Sequence, residues 1–288
     1  MTAPDESALD DAADFVLSVL GEPPDVTLVV ERGVLSPELL MTSVSSTWQA
    51  TTPSGGPAPF RLQCGRVDGV PILMIVEVPP YRPVRIRTFP IAVASRCESN
   101  TVFVAAHAAP LDPTLNAGEL LVVTDHINLL GDSPLIGGSW GSQESRFCDM
   151  NHVYGASLRN AAKRAAGARS VRLHEGVYVA SPLAQRPDSS AIESLRVTGG
   201  QACGTGIVPH ALAARQASLQ ILAICTLVPT ATHELSGESG SIDSNVPDTP
   251  ASRLSCVLES LIGDLPQRTS PRLRGSLSSN SMPVQSSK

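Results

Sequence analysis

Lysine is all but missing from this 288-residue chain: Lys163 and Lys288 are the only two, and the other 19 of 21 basic residues are arginines. Arginine codons are GC-rich, so the bias is read as one of coding composition. Aromatic residues make up 3%, so a core has to be built from Val, Leu, Ile and Ala. No run approaches the roughly 18 apolar residues of a membrane span. Met1–Leu20 carries acids where a secretory leader starts basic. The expectation is a soluble, unsecreted, cytoplasmic protein, with the nucleus the other compartment open to it. There is no CxxC pair and no HExxH grouping. The six cysteines, Cys64, Cys97, Cys148, Cys203, Cys225 and Cys256, read as reduced and mostly buried thiols. Neither a metal site nor a cofactor is expected. A formal charge of -6 argues against nonspecific nucleic-acid binding.

What is present is apolar and periodic. Hydrophobic residues reach 42%, with a mean hydropathy of +0.08, enough for a buried core. Leu9, Ala13, Val16 and Leu20 recur at helical spacing, so Ser7–Leu20 is predicted as an amphipathic helix closed by Gly21. Pro23 and Pro24 then break the chain before Val26–Val30, a candidate buried strand. Further strands are predicted at Arg61–Cys64, Pro71–Val78, Thr101–Ala106, Glu119–Thr124, Gly176–Ala180 and Leu219–Val228. Helices are predicted at Tyr154–Gly167, Ser189–Val197, His210–Ala217 and Pro250–Ile262. This alternation implies a three-layer α/β/α sandwich with a mixed, largely parallel sheet. Ser43–Ala58, Leu130–Ser145 and Thr230–Thr249 are rich in Gly, Ser, Thr and Pro and read as loops bordering a ligand crevice. One domain over residues 1–265 is expected, followed by a Ser- and Arg-rich tail at 266–288. That tail holds Arg268, Arg272, Arg274 and Lys288 without an acid. It is expected to be disordered and to offer a basic site to a protein partner.

The most informative stretch is GELLVVTDHINLLG, Gly118–Gly131, where the apolar run Leu120–Val123 leads into a polar Thr-Asp-His turn. In order and spacing it is followed by Ser133-Pro134-Leu135, Arg146–Met150, HEGVYVASP at His174–Pro182, and CGTGIVPHALAARQASLQILAICTLV at Cys203–Val228. Together these segments resemble the trimeric purine nucleoside phosphorylase and methylthioadenosine phosphorylase family, and the resemblance spans roughly Asp25 to Leu261. The resemblance implies a purine nucleoside phosphorylase-like fold, a pentosyltransferase ancestry, a purine nucleoside or related small molecule as ligand, and a homotrimer. Gly137–Phe147 would lie in the trimer contact, without the aromatic that reaches across it in the family.

The same resemblance implies where an active site would lie, and there this chain departs from the pattern. The family's Gly-Ser-Gly-Leu-Gly phosphate turn reads Glu31-Arg32-Gly33-Val34-Leu35, with one glycine kept and a carboxylate placed where an anion would sit. The Gly-His-Ala-Gly-Arg turn falls near Gly55–Pro59 and lacks its histidine. At the strand-end Gly-Arg-x-His, Ile75 replaces the arginine and Glu77 the histidine. Asn-Ala-Ala-Gly-Gly reads Ala106-His107-Ala108-Ala109-Pro110, where proline removes an N–H donor. On the base side, Gln185 stands for the purine-binding Glu and Ala184 for a stacking Phe. Pro229 stands for the Asn that activates the leaving base. Tyr178 and the Gly204-Thr205 sugar floor are kept. Tyr178, Gln185 and Thr205 are therefore the candidate nucleoside contacts, and Arg32, Gly33, Glu77 and His107 mark the altered phosphate positions, with no catalytic residue assigned. From these substitutions the chain is expected to have lost conventional phosphorolysis and to serve as a binding or scaffold protein, an inactivated relative. The alternative is an active nucleoside phosphorylase, or a hydrolase with Glu77 as general base.

Other groups are read as structural. Asp125 and His126 are adjacent on a strand end and point apart. His107, His126 and His210 are placed in loops near the crevice. Arg82, Arg85 and Arg87, with Arg61, form a basic patch around Tyr81, or equally one solvated strand face.

Overall fold

The structure, a computed structural model, describes residues 6–35, 40, 43–51, 57–77, 87–136, 148–185, 189–229 and 249–265. The helices in chain order are α1 (Glu6–Leu20), α2 (Phe89–Arg96), α3 (Ala156–Ala168), α4 (Ser189–Arg196), α5 (Val208–Gln216) and α6 (Pro250–Gly263). The strands are β1 (Val26–Glu31), β2 (Ser43–Thr51), β3 (Pro57–Val67), β4 (Val70–Glu77), β5 (Thr101–Pro110), β6 (Leu120–Asn128), β7 (Leu173–Ala180), β8 (Ala202–Gly204) and β9 (Gln220–Leu227). They form one mixed sheet in the order β2-β3-β4-β1-β5-β8-β7-β6-β9. β5 also pairs β9 in parallel, so β5, β8, β7, β6 and β9 close into a ring.

The layers follow from strand alternation. On β1, Val26, Leu28 and Val30 pack with Leu158, Ala162, Ala165 and Ala166 of α3 and with Leu254, Val257, Leu258 and Leu261 of α6. Val29 between them turns to the opposite face, against Ile91 and Ala94 of α2 and Val208, Ala211 and Ala214 of α5. α1 covers the β3–β4 end through Leu9, Ala13, Val16 and Leu20, beside Leu62, Leu73 and Ile75. With so few aromatics, the packing is mostly aliphatic; the exceptions include Phe60 stacked on Phe89 at 5.4 Å and the buried Phe103, Tyr154 and Tyr178.

The structure corrects several expectations. Ser43–Thr51, expected as loop, is β2, paired antiparallel with β3 at seven of its nine residues, with two register shifts. Its serines read as loop, yet Val44, Thr47 and Trp48 suit a strand. α2 was not anticipated, because Pro90 masks its start; proline is tolerated there, where its missing N–H is an orphan anyway. The Thr124-Asp125-His126 stretch is not a turn. β6 runs on to Asn128, with Thr124 bulged out between Val123↔Gly176 and Asp125↔Val177. The three histidines are not in loops: His107 lies in β5, His126 in β6 and His210 in α5. The tail 266–288, and most of Leu130–Ser145 and Thr230–Thr249, lie outside the described residues.

Candidate active site

β1, β5 and the β8–α5 turn end together at one edge of the sheet. β1 ends at Glu31, and Arg32-Gly33-Val34 turns away with Gly33 at a φ of 91° and the Val34 N–H bonded to the Glu31 carbonyl at 3.0 Å. The Glu31 carboxylate folds towards β5, where Oε2 accepts the His107 N–H at 2.9 Å. Oε1 lies 3.8 Å from His107 Nδ1. Gly33 faces the same ring: a Cβ on it would sit 3.7 Å from His107 Cε1.

The turn Gly204-Thr205-Gly206 supplies the floor. Tyr178, fully buried in β7, accepts the Gly206 N–H on its hydroxyl at 3.1 Å. A Cβ on Gly204 would run into that hydroxyl and come within 3.0 Å of the His107 carbonyl oxygen. A Cβ on Gly206 would lie 2.9 Å from Ala106 Cβ, 3.3 Å from Glu31 Oε2 and 3.9 Å from Arg87 Nη2. Only glycine fits so close to its neighbours at either position. The turn feeds directly into α5, whose first amides carry the positive end of the helix dipole. Tyr178 keeps its proton: burial drives its pKa far up, Cys225 and Glu31 push the same way, and the Gly206 N–H and Arg87 oppose. Thr226, beside His107 in the β5–β9 register, is buried, and its hydroxyl has no hydrogen-bond partner among the described residues.

Of the residues singled out in the sequence, the structure brings together Tyr178, Thr205, Gly33 and His107. Arg32 does not fill the crevice; it is exposed on the turn. Glu77 is the last residue of β4, in register with Glu31. Gln185 ends the single 3-10 turn Pro182–Gln185 that follows β7. Sequence reasoning did not assign Arg87 to the site. It sits just ahead of α2, half-buried, and its guanidinium reaches the Gly206 cradle. The clue was limited to its place ahead of Thr88-Phe89-Pro90. Asp125 is exposed and accepts the His126 N–H, while His126 Nδ1 meets the Tyr154 hydroxyl at 3.1 Å. That pair lies on β6 and is structural. Two open clefts, of about 570 Å³ beside Val153–Leu158 and about 290 Å³ between α1, α2 and α5, contain none of these crevice residues. The convergent chemistry marks the site better than cleft size does. Among the described residues no group of His, Cys, Asp and Glu is placed to hold a metal, and no helix is long and apolar enough to cross a membrane.

In a mixed α/β sheet the carboxyl ends of the strands, here with a Gly-Thr-Gly turn beside them, are where small molecules are commonly bound. The sequence profile of the phosphorylase superfamily matches residues 36–249, and the chain belongs to that superfamily. Purine nucleoside phosphorylase 1 of Bacillus subtilis (strain 168) is 26% identical over 227 residues, covering 75% of this chain and 83% of the relative. Purine nucleoside phosphorylase 1 of Geobacillus stearothermophilus is 35% identical over 137 residues, 48% of this chain and half the relative's length. The fold is that of Schistosoma mansoni purine nucleoside phosphorylase. Its complex with a novel monocyclic inhibitor superposes with a TM-score of 0.74 at 17% identity, over 93% of this chain and all of that one. Its complex with inosine gives 0.71, at 17% identity over 93% and 99%.

These relatives overturn the expectation of an inactivated binding or scaffold protein. They are purine nucleoside phosphorylases, and nothing in the comparisons marks a lost activity. The physical error lay in reading cations by position along the chain. The strand-end arginine and histidine are gone, but Arg87 reaches the cradle from the next element. A carboxylate opposes an anion about 4 Å away by roughly 4 kcal/mol per unit charge at an intermediate dielectric, and a guanidinium at that range offsets a similar amount.

Proposed function

We propose that this protein is an active nucleoside phosphorylase that cleaves the glycosidic bond of a purine nucleoside with inorganic phosphate. The observation that carries the reading is the convergence of Arg87, Glu31, His107 and the Tyr178-braced Gly204–Gly206 turn at one crevice, in a chain of the phosphorylase superfamily. In the reaction a phosphate oxygen bonds to the anomeric carbon as the carbon–nitrogen bond breaks. The bonding pair leaves on the base nitrogen, and the proton of hydrogen phosphate passes to the base, giving pentose 1-phosphate and free purine. The Gly-Thr-Gly turn lets the sugar approach backbone; Thr205 borders it, and Tyr178 braces the turn from beneath. Gln185, following β7, is assigned the purine edge, where an amide offers both a donor and an acceptor. Pro229 has no donor to give the departing base, so leaving-group protonation falls to the phosphate or solvent.

The purified full-length chain, given inosine, guanosine, adenosine or methylthioadenosine with phosphate, is expected to release base and pentose 1-phosphate. Release of base from none of them overturns the reading. Base and free pentose in phosphate-free buffer would identify water as the nucleophile.

The proposed assembly is a homotrimer in the cytoplasm. Leu129, Ile136 and Leu183, at 46%, 68% and 51% exposure, leave apolar surface beyond the ends of β6 and β7 that a neighbour would cover. Light scattering is expected to give a trimer of the 30.1 kDa chain; a monomer refutes it.

A further inference from the structure

We infer that Arg87 is the cation that receives the phosphate nucleophile, and that Glu31 is a resident anion that phosphate must displace from the same cradle. This rests on the phosphorylase reading and names residues for its anion site. Arg87 Nη2 and Glu31 Oε2 both flank Gly206, 3.9 and 3.3 Å from where a Cβ would lie, a point closed from behind by Ala106 Cβ at 2.9 Å. Arg87 comes from two residues before α2 and Glu31 from the end of β1. Both charges are also felt at the Tyr178 hydroxyl, Glu31 raising its pKa and Arg87 lowering it, beneath the larger effect of burial. An oxyanion beside Gly206 meets the Arg87 guanidinium and the start of α5, the positive end of that helix's dipole. It also finds a carboxylate, which supplies no donor and repels it.

Glu31 is not merely an obstacle. Its Oε2 takes the His107 N–H, a bond that holds the end of β1 to β5, and its side chain is 21% exposed, so it can swing outward without leaving water. Phosphate taken up beside Arg87 therefore turns the Glu31 carboxylate away. A neutral side chain at position 31 removes the competitor while glutamine keeps a carbonyl acceptor for the His107 N–H.

Titration calorimetry of inorganic phosphate into the full chain tests this without nucleoside. Glu31→Gln is expected to tighten phosphate binding about tenfold, and Arg87→Met to weaken it about tenfold or more, with Arg87→Lys in between. In steady-state assays the KM for phosphate moves in the same directions, while the KM for nucleoside stays within about twofold. Unchanged melting temperatures identify the variants as folded. Phosphate binding that is indifferent to Arg87→Met overturns the assignment, as does Glu31→Gln weakening phosphate. Phosphate binding through Arg87 with no base release from any nucleoside leaves the anion site standing and removes the phosphorylase reading. Base release that requires phosphate, with phosphate binding and KM indifferent to Arg87→Met, does the reverse.

Discussion

At the scale of single residues, the crevice depends on atoms that are absent. Gly204 is glycine because the Tyr178 hydroxyl and the His107 carbonyl occupy the place of its Cβ. Gly204→Ala is expected to destabilise the fold by about 3 kcal/mol through overpacking and to abolish turnover, measured by urea denaturation and base release together. Tyr178→Phe keeps the ring but strands the buried Gly206 N–H, at a cost of about 1–3 kcal/mol. A denaturation midpoint equal to wild type would show that the turn does not need that bond. His126 carries a pH dependence of known sign. Burial depresses its pKa below the ordinary 6.5, with Asp125 opposing. The folded protein therefore holds it neutral, while the unfolded chain takes up a proton as pH falls through about 6.5. The stability it contributes is full above that value and is lost below it. Wild type is expected to lose more stability than His126→Gln between pH 7 and pH 5; parallel losses contradict this.

At the scale of elements, ends and edges decide more than interiors. α6 starts with a reciprocal cap: Thr249 Oγ1 accepts the Ser252 N–H at 3.1 Å, and Ser252 Oγ accepts the Thr249 N–H at 3.1 Å. Pro250 occupies the first turn without cost. Thr249→Ala is expected to lower stability by about 1 kcal/mol without altering the phosphate KM, because α6 covers the face opposite α2 and α5. α3 is tied to β7 differently, by Glu175 between Lys163 at 2.7 Å and Arg159 at 2.8 Å. The Lys163 hydrogen bond holds the Glu175 carboxyl below its usual range; desolvation opposes it next in size, and the Lys163 charge and Arg159 add to the lowering. Those bonds are partly exposed and contribute little to stability. Lys163, one of two lysines, thus has a structural post.

For the whole molecule, the boundary drawn after Leu265 is a prediction about the tail. Leu254, Val257, Leu258, Leu261 and Ile262 bury α6 against the sheet, so the last described helix needs nothing beyond it to close the core. Deleting 266–288 is expected to leave the melting temperature unchanged. A fall of several degrees places the boundary further on. The ring of β5, β8, β7, β6 and β9 has a consequence of the same scale. Closure removes the exposed edges those strands would otherwise offer to another chain, leaving β2 at the open end of the sheet.

Much of this architecture was legible in the residues. Val26–Val30, Thr101–Ala106 and Leu219–Val228 are largely apolar because both faces of the sheet are covered there, and such a run between turn residues declares that. The spacing of Leu9, Ala13, Val16 and Leu20 declared α1 in the same way, and the DHINL and HEGVYVASP segments declared the family. What the chain could not declare was pairing and convergence. Whether Ser43–Thr51 is loop or strand depends on β3 lying beside it, since its serines carry no pattern of their own. The same holds for the crevice: Glu31, Arg87, Tyr178 and Gly206 are far apart along the chain. Aligned by sequence position they described a dismantled phosphate site. The sheet brings β1, β5 and the β8–α5 turn to one edge and sets Arg87 against it, because a charge acts through distance in space and not along the chain.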